Sequence, residues 1–505
     1  MARYFPAPEA VITVLQRPLA ELLVTGGDHR LTLSETTKLS KYRVFPGPRT
    51  SIPLGSCTAS SPSTRSMAAA AALRDRLREA ADPVREAERA IADQRRRLVE
   101  LFELPDDVVL PMTPSGTDAI YLVSCLALRR YPRVHHVVVG ASELGGGTLK
   151  AARGQGISAV APFGPSDTGA PLPGLAERCS AAPVYLRDGE GRRLEPEQID
   201  AEVRRQVEAV PEDCAVVVHL VAHSKTGLRA PSTQVCSELS TSLGDRLTVL
   251  VDAAQGRLAP RDVRRALALG FQVLFTGSKF YSGPPFSSVL VLPEGDRPDP
   301  GPLPESLQAW FARTDLPPSW TEARASLAEA WNPGLALRWE AALAEIEAYH
   351  DTLPRYRACV YHTFAGAVHE VFGPSHLVRL DVPLPPVHAL VTALGAYPSV
   401  FGFVVEGPEG PLSHAALGKL HGLLDTDLSS EDPDEPSLGT CFHLGQPVSL
   451  GPPEDDEAAV LRVALGARLV TDLAPTADAG AAYLRSAMRG IRAKTEWLVR
   501  NGWVQ

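Results

Sequence analysis

One apolar run closes with Val251-Asp252-Ala253-Ala254-Gln255, and the next, after a helical segment, closes with Thr276-Gly277-Ser278-Lys279-Phe280. Both runs are short, β-rich and bounded by helical patterns, which predicts neighbouring strands of a helix-covered sheet. A strand that ends in Asp puts a carboxylate at the carboxyl edge of the sheet, where open α/β sheets bind their ligands. The following strand ends at Lys279, so the amine is expected in the same crevice. Taken singly, an Asp capping a helix or a lysine facing solvent would be ordinary. The two together, with Ser278 directly before the lysine, point to a site.

The same alternation extends outward from this pair. Strands are predicted at Val108 to Met112, His136 to Gly140, Ala215 to Ala222, Leu247 to Val251, Val273 to Thr276 and Ser288 to Leu292. Helical segments between them argue for a mostly parallel sheet between helices. Residues 66–103, interrupted at Pro83, read as two helices. Pro, Gly and Asp fill 162–195 and 404–440, which read as peripheral excursions or lids. Beyond Pro302 the pattern changes to helices at 303–312 and 334–372, strands at 377–382, 398–405 and 460–465, and a last helix at 476–499. This divides the chain into an N-terminal segment, 1–65, that contributes to a small lobe and the active site, a large α/β domain, 66–301, and a smaller α+β domain, 302–505.

Composition narrows the function classes. The chain has 505 residues, 44% hydrophobic and 22% charged, with a net charge of -9. That is the balance of a globular protein, without a basic footprint for nucleic acid or an anionic membrane. No apolar run is long enough for a membrane span, and Met1 to Pro6 lack a signal-peptide layout, so a cytoplasmic location is expected. The seven cysteines are scattered, without metal or disulfide spacing. Lysine is rare: only Lys38, Lys41, Lys150, Lys225, Lys279, Lys419 and Lys494 occur.

Upstream, Pro114-Ser115-Gly116-Thr117-Asp118-Ala119 lies between a strand and a helix. First-turn N–H groups there suit a phosphate, although an ordinary N-cap explains the same residues. A carboxylate such as Asp252 can hold a protonated pyridine nitrogen while a lysine amine condenses with an aldehyde.

The order Ser115-Gly116-Thr117-Asp118-Ala119, then Ser224-Lys225-Thr226-Gly227, then Asp252-Ala253-Ala254-Gln255, then Gly277-Ser278-Lys279 resembles the class V aminotransferase and cysteine desulfurase superfamily of fold-type I pyridoxal 5'-phosphate (PLP) enzymes. The resemblance covers roughly residues 50–470 and implies the aspartate aminotransferase-like fold of PLP-dependent transferases, a homodimer and PLP as cofactor. It implies that Lys279 holds the cofactor as a Schiff base and that Gly116, Thr117 and Ser278 hold its phosphate. Asp252 would pair with the ring nitrogen and Gln255 reach the phenolic oxygen. Ser224 stands where relatives often have an Asn beside that oxygen, and Leu144 where they stack a His on the ring. Arg462, in Leu461-Arg462-Val463, would clamp a substrate α-carboxylate, with His443 and Gln446 as polar neighbours.

Fold and cofactor do not decide the reaction. Side-chain elimination from an amino acid is the first expectation, a lyase of specialised biosynthesis. An aminotransferase, a sulfur-transferring desulfurase and a non-catalytic PLP-binding regulator are the alternatives. Cys441 lies where desulfurases carry a mobile nucleophile, but its neighbours Phe442 and Leu444 are apolar and predict an inert thiol.

Overall fold

The computed structural model describes residues 13–329, 331–381, 398–450 and 459–504. The first residues, read above as lacking a leader, and residue 382 of the expected strand 377–382 lie outside them. Among the described residues, two main sheets organise the chain. In chain order their strands are β1 (Ile52–Leu54), β2 (Met112–Thr113), β3 (Arg133–Val139), β4 (Cys179–Val184), β5 (Cys214–Val221), β6 (Leu247–Ala253), β7 (Gln272–Thr276), β8 (Ser288–Val291), β9 (Val378–Leu380), β10 (Val400–Gly407), β11 (Phe442–Ser449) and β12 (Ala459–Ala464).

The larger sheet runs β2-β8-β7-β6-β5-β3-β4. The β7-β6-β5-β3-β4 pairs are all parallel, and β8 alone runs against its neighbours. Every residue of β5 and β6 is buried. Runs such as Ala215-Val216-Val217-Val218 need no alternation because helices cover both faces. The helix Gly116–Leu128 is buried from Thr117 to its end and starts on a capping box, Ser115 N–H donating to Asp118 Oδ2 at 2.7 Å. Its N-terminus thereby opens at the carboxyl edge of the sheet.

The smaller sheet runs β1-β11-β12-β10-β9, with a sixth, two-residue strand, Gly410–Pro411, paired to β10 off this path. Its edge strand β1 comes from the N-terminal segment and pairs in parallel with β11, Ile52 facing Phe442. Residues early in the chain therefore complete the C-terminal sheet.

Several expectations shift. Residues 162–195 are not only a surface excursion, since they contain β4, which extends the large sheet beside β3. Pro183 hides that strand from pattern reading, and an edge strand tolerates it because its other side is unpaired. The expected helix 303–312 is a short 3-10 turn, Glu305–Leu307, directly after Pro302 and Pro304. The span 334–372 is two helices, Pro333–Asp351 and Pro354–Phe372, because Pro354 begins a new helix. Within 404–440, the helix His414–Leu424 buries Leu417, Leu420 and Leu424 and packs on β11. That segment is core as well as periphery. No helix among the described residues is long and apolar enough to cross a membrane.

Candidate active site

A cavity of about 560 Å³ opens at the carboxyl edge of the large sheet, with the smaller sheet and the N-terminal segment as its opposite wall. That is the size of a small-molecule site. The floor is held by contacts between adjacent strand ends. Thr276 Oγ1 donates to the Ala254 carbonyl at 2.8 Å, and Phe280 N–H donates to the Gln255 carbonyl at 3.2 Å. At Gly256 the backbone has φ +70°, and a Cβ would stand 2.9 Å from the Thr276 carbonyl oxygen, so glycine is required for the two turns to meet. The turn after the lysine carries two non-glycine residues at positive φ, Ser282 at 59° and Phe286 at 73°. Such local strain is common where a side chain must be aimed.

Lys279, Asp252, Gly116, Thr117 and Ser278 all line this cavity. Asp252 Oδ1 accepts from Ala254 N–H at 3.0 Å, and burial pushes its carboxyl up from the usual range. Burial pushes the Lys279 amine down to about 8 although the Asp252 carboxylate opposes the shift. Among the described residues, the Lys279 amine and the Thr117 and Ser278 hydroxyls make no hydrogen bond. A helix N-terminus, two free hydroxyls, a free amine and a buried carboxylate are a donor set that fits PLP. The phosphate would sit at Gly116, Thr117 and Ser278, the aldehyde at Lys279 and the ring nitrogen at Asp252.

Gln446 and Arg462 also line the cavity. The Arg462 guanidinium is well satisfied: Nε and Nη2 donate to the Gln446 carbonyl at 3.1 and 2.8 Å, Nη2 also to Thr58 Oγ1 at 2.9 Å, and Nη1 to the Lys225 carbonyl at 3.2 Å. Of the five N–H groups of an arginine, one on Nη1 is left. The two-pronged carboxylate clamp expected of Arg462 is thus reduced to one free N–H.

Four expected residues lie off the cavity lining. Leu144 packs in the main hydrophobic core. Ser224 Oγ donates to Glu143 Oε2 at 2.6 Å and accepts from Leu228 N–H at 3.0 Å, closing its own turn. Gln255 Nε2 donates to the Cys57 carbonyl at 3.0 Å and its Oε1 accepts from Arg257 Nη1 at 3.0 Å. His443 shares its Nε2 with the Ala59 carbonyl at 3.1 Å. Each holds chain to chain. Cys441 is off the cavity too, and burial pushes its thiol up. Pro285 and Phe286, just after the lysine, line the cavity.

Pattern reading missed Arg257. It is fully buried and joins the large-sheet edge to the other wall, Nε donating to Ser399 Oγ at 2.8 Å and Nη2 to Ser56 Oγ at 2.9 Å. Cys57, Thr58 and Arg30 also line the cavity. The only signal for them was the expectation that the N-terminal segment reaches the site.

No protein-family model matches the chain, and no curated protein matches it. Solved structures do. The chain has the fold of the fold-type I PLP-dependent enzymes. A complex of the cystine C–S lyase C-DES with its reaction product cysteine persulfide matches at TM-score 0.53 and 15% identity, over 88% of this chain and 99% of that one. A NifS-like protein matches at 0.52 and 12%, over 88% and 100%. TDC of Oryza sativa, with PLP and tryptamine, matches at 0.51 and 11%, over 87% and 82%.

Proposed function

We propose that the chain is a PLP-dependent lyase that removes the Cα proton of an amino acid with Lys279 and expels a side-chain substituent. The observation that carries this reading is the Lys279 amine, desolvated, without a hydrogen bond among the described residues, and sharing one cavity with the buried Asp252 carboxylate. The fold shared with PLP enzymes supports the cofactor. PLP, when bound, supplies an electron sink for the charge left at Cα.

The chain's own residues supply the rest. With its amine near 8, Lys279 is divided between charged and neutral forms close to neutral pH, which suits a group that both takes and returns a proton. Asp252, held by Ala254 N–H, keeps a proton on the ring nitrogen. Thr117, Ser278 and the first turn of the Gly116 helix anchor the phosphate. Arg462 offers its remaining N–H to the substrate α-carboxylate. The cleft belongs to a homodimer in this reading, and an active monomer in solution scattering would contradict that part.

Product analysis tests the reaction. With a panel of amino acids and no acceptor, elimination releases ammonia and a 2-oxo or unsaturated acid. An aminotransferase instead needs a 2-oxo acid and releases no ammonia. If turnover depends wholly on the acceptor, the lyase reading fails.

A further inference from the structure

Lysine is the rarest of the chain's strongly basic residues, seven among 50 Lys and Arg, yet four of the seven, Lys41, Lys150, Lys225 and Lys279, line this one cavity. With Arg30 and Arg462 they make six basic side chains on the lining, against a single carboxylate, Asp252. The chain as a whole is acidic, with a net charge of -9. A cationic pocket in an anionic protein concentrates anions.

The charges divide by position. Arg30 is paired with Asp28, Nη2 to Oδ2 at 2.7 Å, and reaches Ser115 Oγ at 3.3 Å beside the phosphate end. Lys279 is matched by Asp252 and by the cofactor aldehyde. Arg462 has one N–H for an α-carboxylate. Lys150 and Lys225 are left over, and of the two it is Lys225 that is joined to Arg462. It follows β5 and sits against the substrate wall, because its own carbonyl accepts from Arg462 Nη1 at 3.2 Å. Its amine makes one long contact, 3.5 Å, to the Ser142 carbonyl. The carboxylate whose charge acts on it, Glu143, is held elsewhere: it accepts from Arg187 Nε at 2.8 Å, from Ser224 Oγ at 2.6 Å and from Thr226 Oγ1. Lys41, exposed at the rim and joined to Gln446 through its carbonyl at 2.8 Å, adds a second cation to the same wall.

We infer that the substrate is an amino acid with a second anionic group on its side chain, a carboxylate or a phosphate-like oxyanion, and that the Lys225 amine binds that group while Arg462 meets the α-carboxylate. This deepens the proposed function and rests on it for the orientation of the substrate. A flexible ammonium with free donors suits either anion, since it demands no planar match.

Calorimetric titration of the purified protein with isosteric pairs tests it: L-aspartate against L-asparagine, and O-phospho-L-serine against L-serine. The anionic member of at least one pair binds about tenfold or more tightly, the scale of one charge-assisted hydrogen bond, and the better pair names the anion. Lys225→Gln removes most of that preference while the neutral partner's affinity stays within about twofold, and Lys225→Arg keeps the preference if the charge is what matters. Melting curves check that both variants fold. Equal affinity within both pairs overturns the inference. A preference that survives Lys225→Gln overturns the assignment to Lys225. Cofactor content and the site of its linkage, measured on the same preparation, report separately on the proposed function.

Discussion

The two walls of the cavity differ in how the chain builds them. On the large-sheet wall, Asp252 and Lys279 stand at the ends of adjacent parallel strands, and the register Asp252 opposite Leu274 places them together without help from distant residues. On the opposite wall, Arg462 is fixed by Thr58, 404 positions away, and Gln446 by Lys41, 405 positions away. The first wall is positioned by strand geometry; the second exists only after the N-terminal segment has docked on the small sheet. In the proposed reading the cofactor's wall is therefore local, and the wall that carries Arg462 and Gln446 is assembled from long-range contacts.

Substitutions on the two walls should separate accordingly. After loss of Lys279 itself, Asp252→Ala gives the largest loss: turnover falls by roughly 1000-fold, above the ~1.5 to 3 kcal/mol of a charge-assisted bond, because the ring nitrogen acts on the transition state. Circular dichroism should show the fold intact. Near-full activity would break the account of the first wall.

The contrast also governs what the sequence disclosed. Asp252, Lys279, Gly116 and Thr117 follow strands or open a helix, so short-range patterns are enough to bring them to one edge. Arg462 was found for the same reason, on a strand. Its satisfaction by Gln446, Thr58 and Lys225 was not, because those partners come from three separate segments. Ser224 and Gln255 sit where a motif places cofactor ligands, yet their side chains close a turn and bridge to Cys57 and Arg257. A motif gives a position in the fold, and only packing decides where the side chain goes. Strand β4 escaped because Pro183 is allowed at an edge that a one-dimensional pattern cannot recognise.

On the second wall, Arg462→Lys keeps the charge and loses the fork that joins Gln446 and Thr58. KM should rise about tenfold, with kcat changed much less, since the group serves binding. Equal losses in kcat and kcat/KM would move Arg462 from binding to the chemical step. Cys441→Ala is the smallest effect: activity stays within about twofold and no persulfide forms there with cysteine. A dead variant that still binds PLP, with persulfide on Cys441 by mass spectrometry, would replace the lyase reading with sulfur transfer.

The central claim is that Lys279 is the lysine bonded to PLP. Two partly buried lysines of this cavity, Lys225 and Lys279, have amines near 8, so both are chemically able to condense with an aldehyde. Borohydride reduction of the purified protein followed by peptide mapping distinguishes them. The account predicts a pyridoxyl label on Lys279 that is lost in Lys279→Ala together with activity. A label on Lys225 in the unmodified protein, or none at all after saturation with PLP, would contradict it.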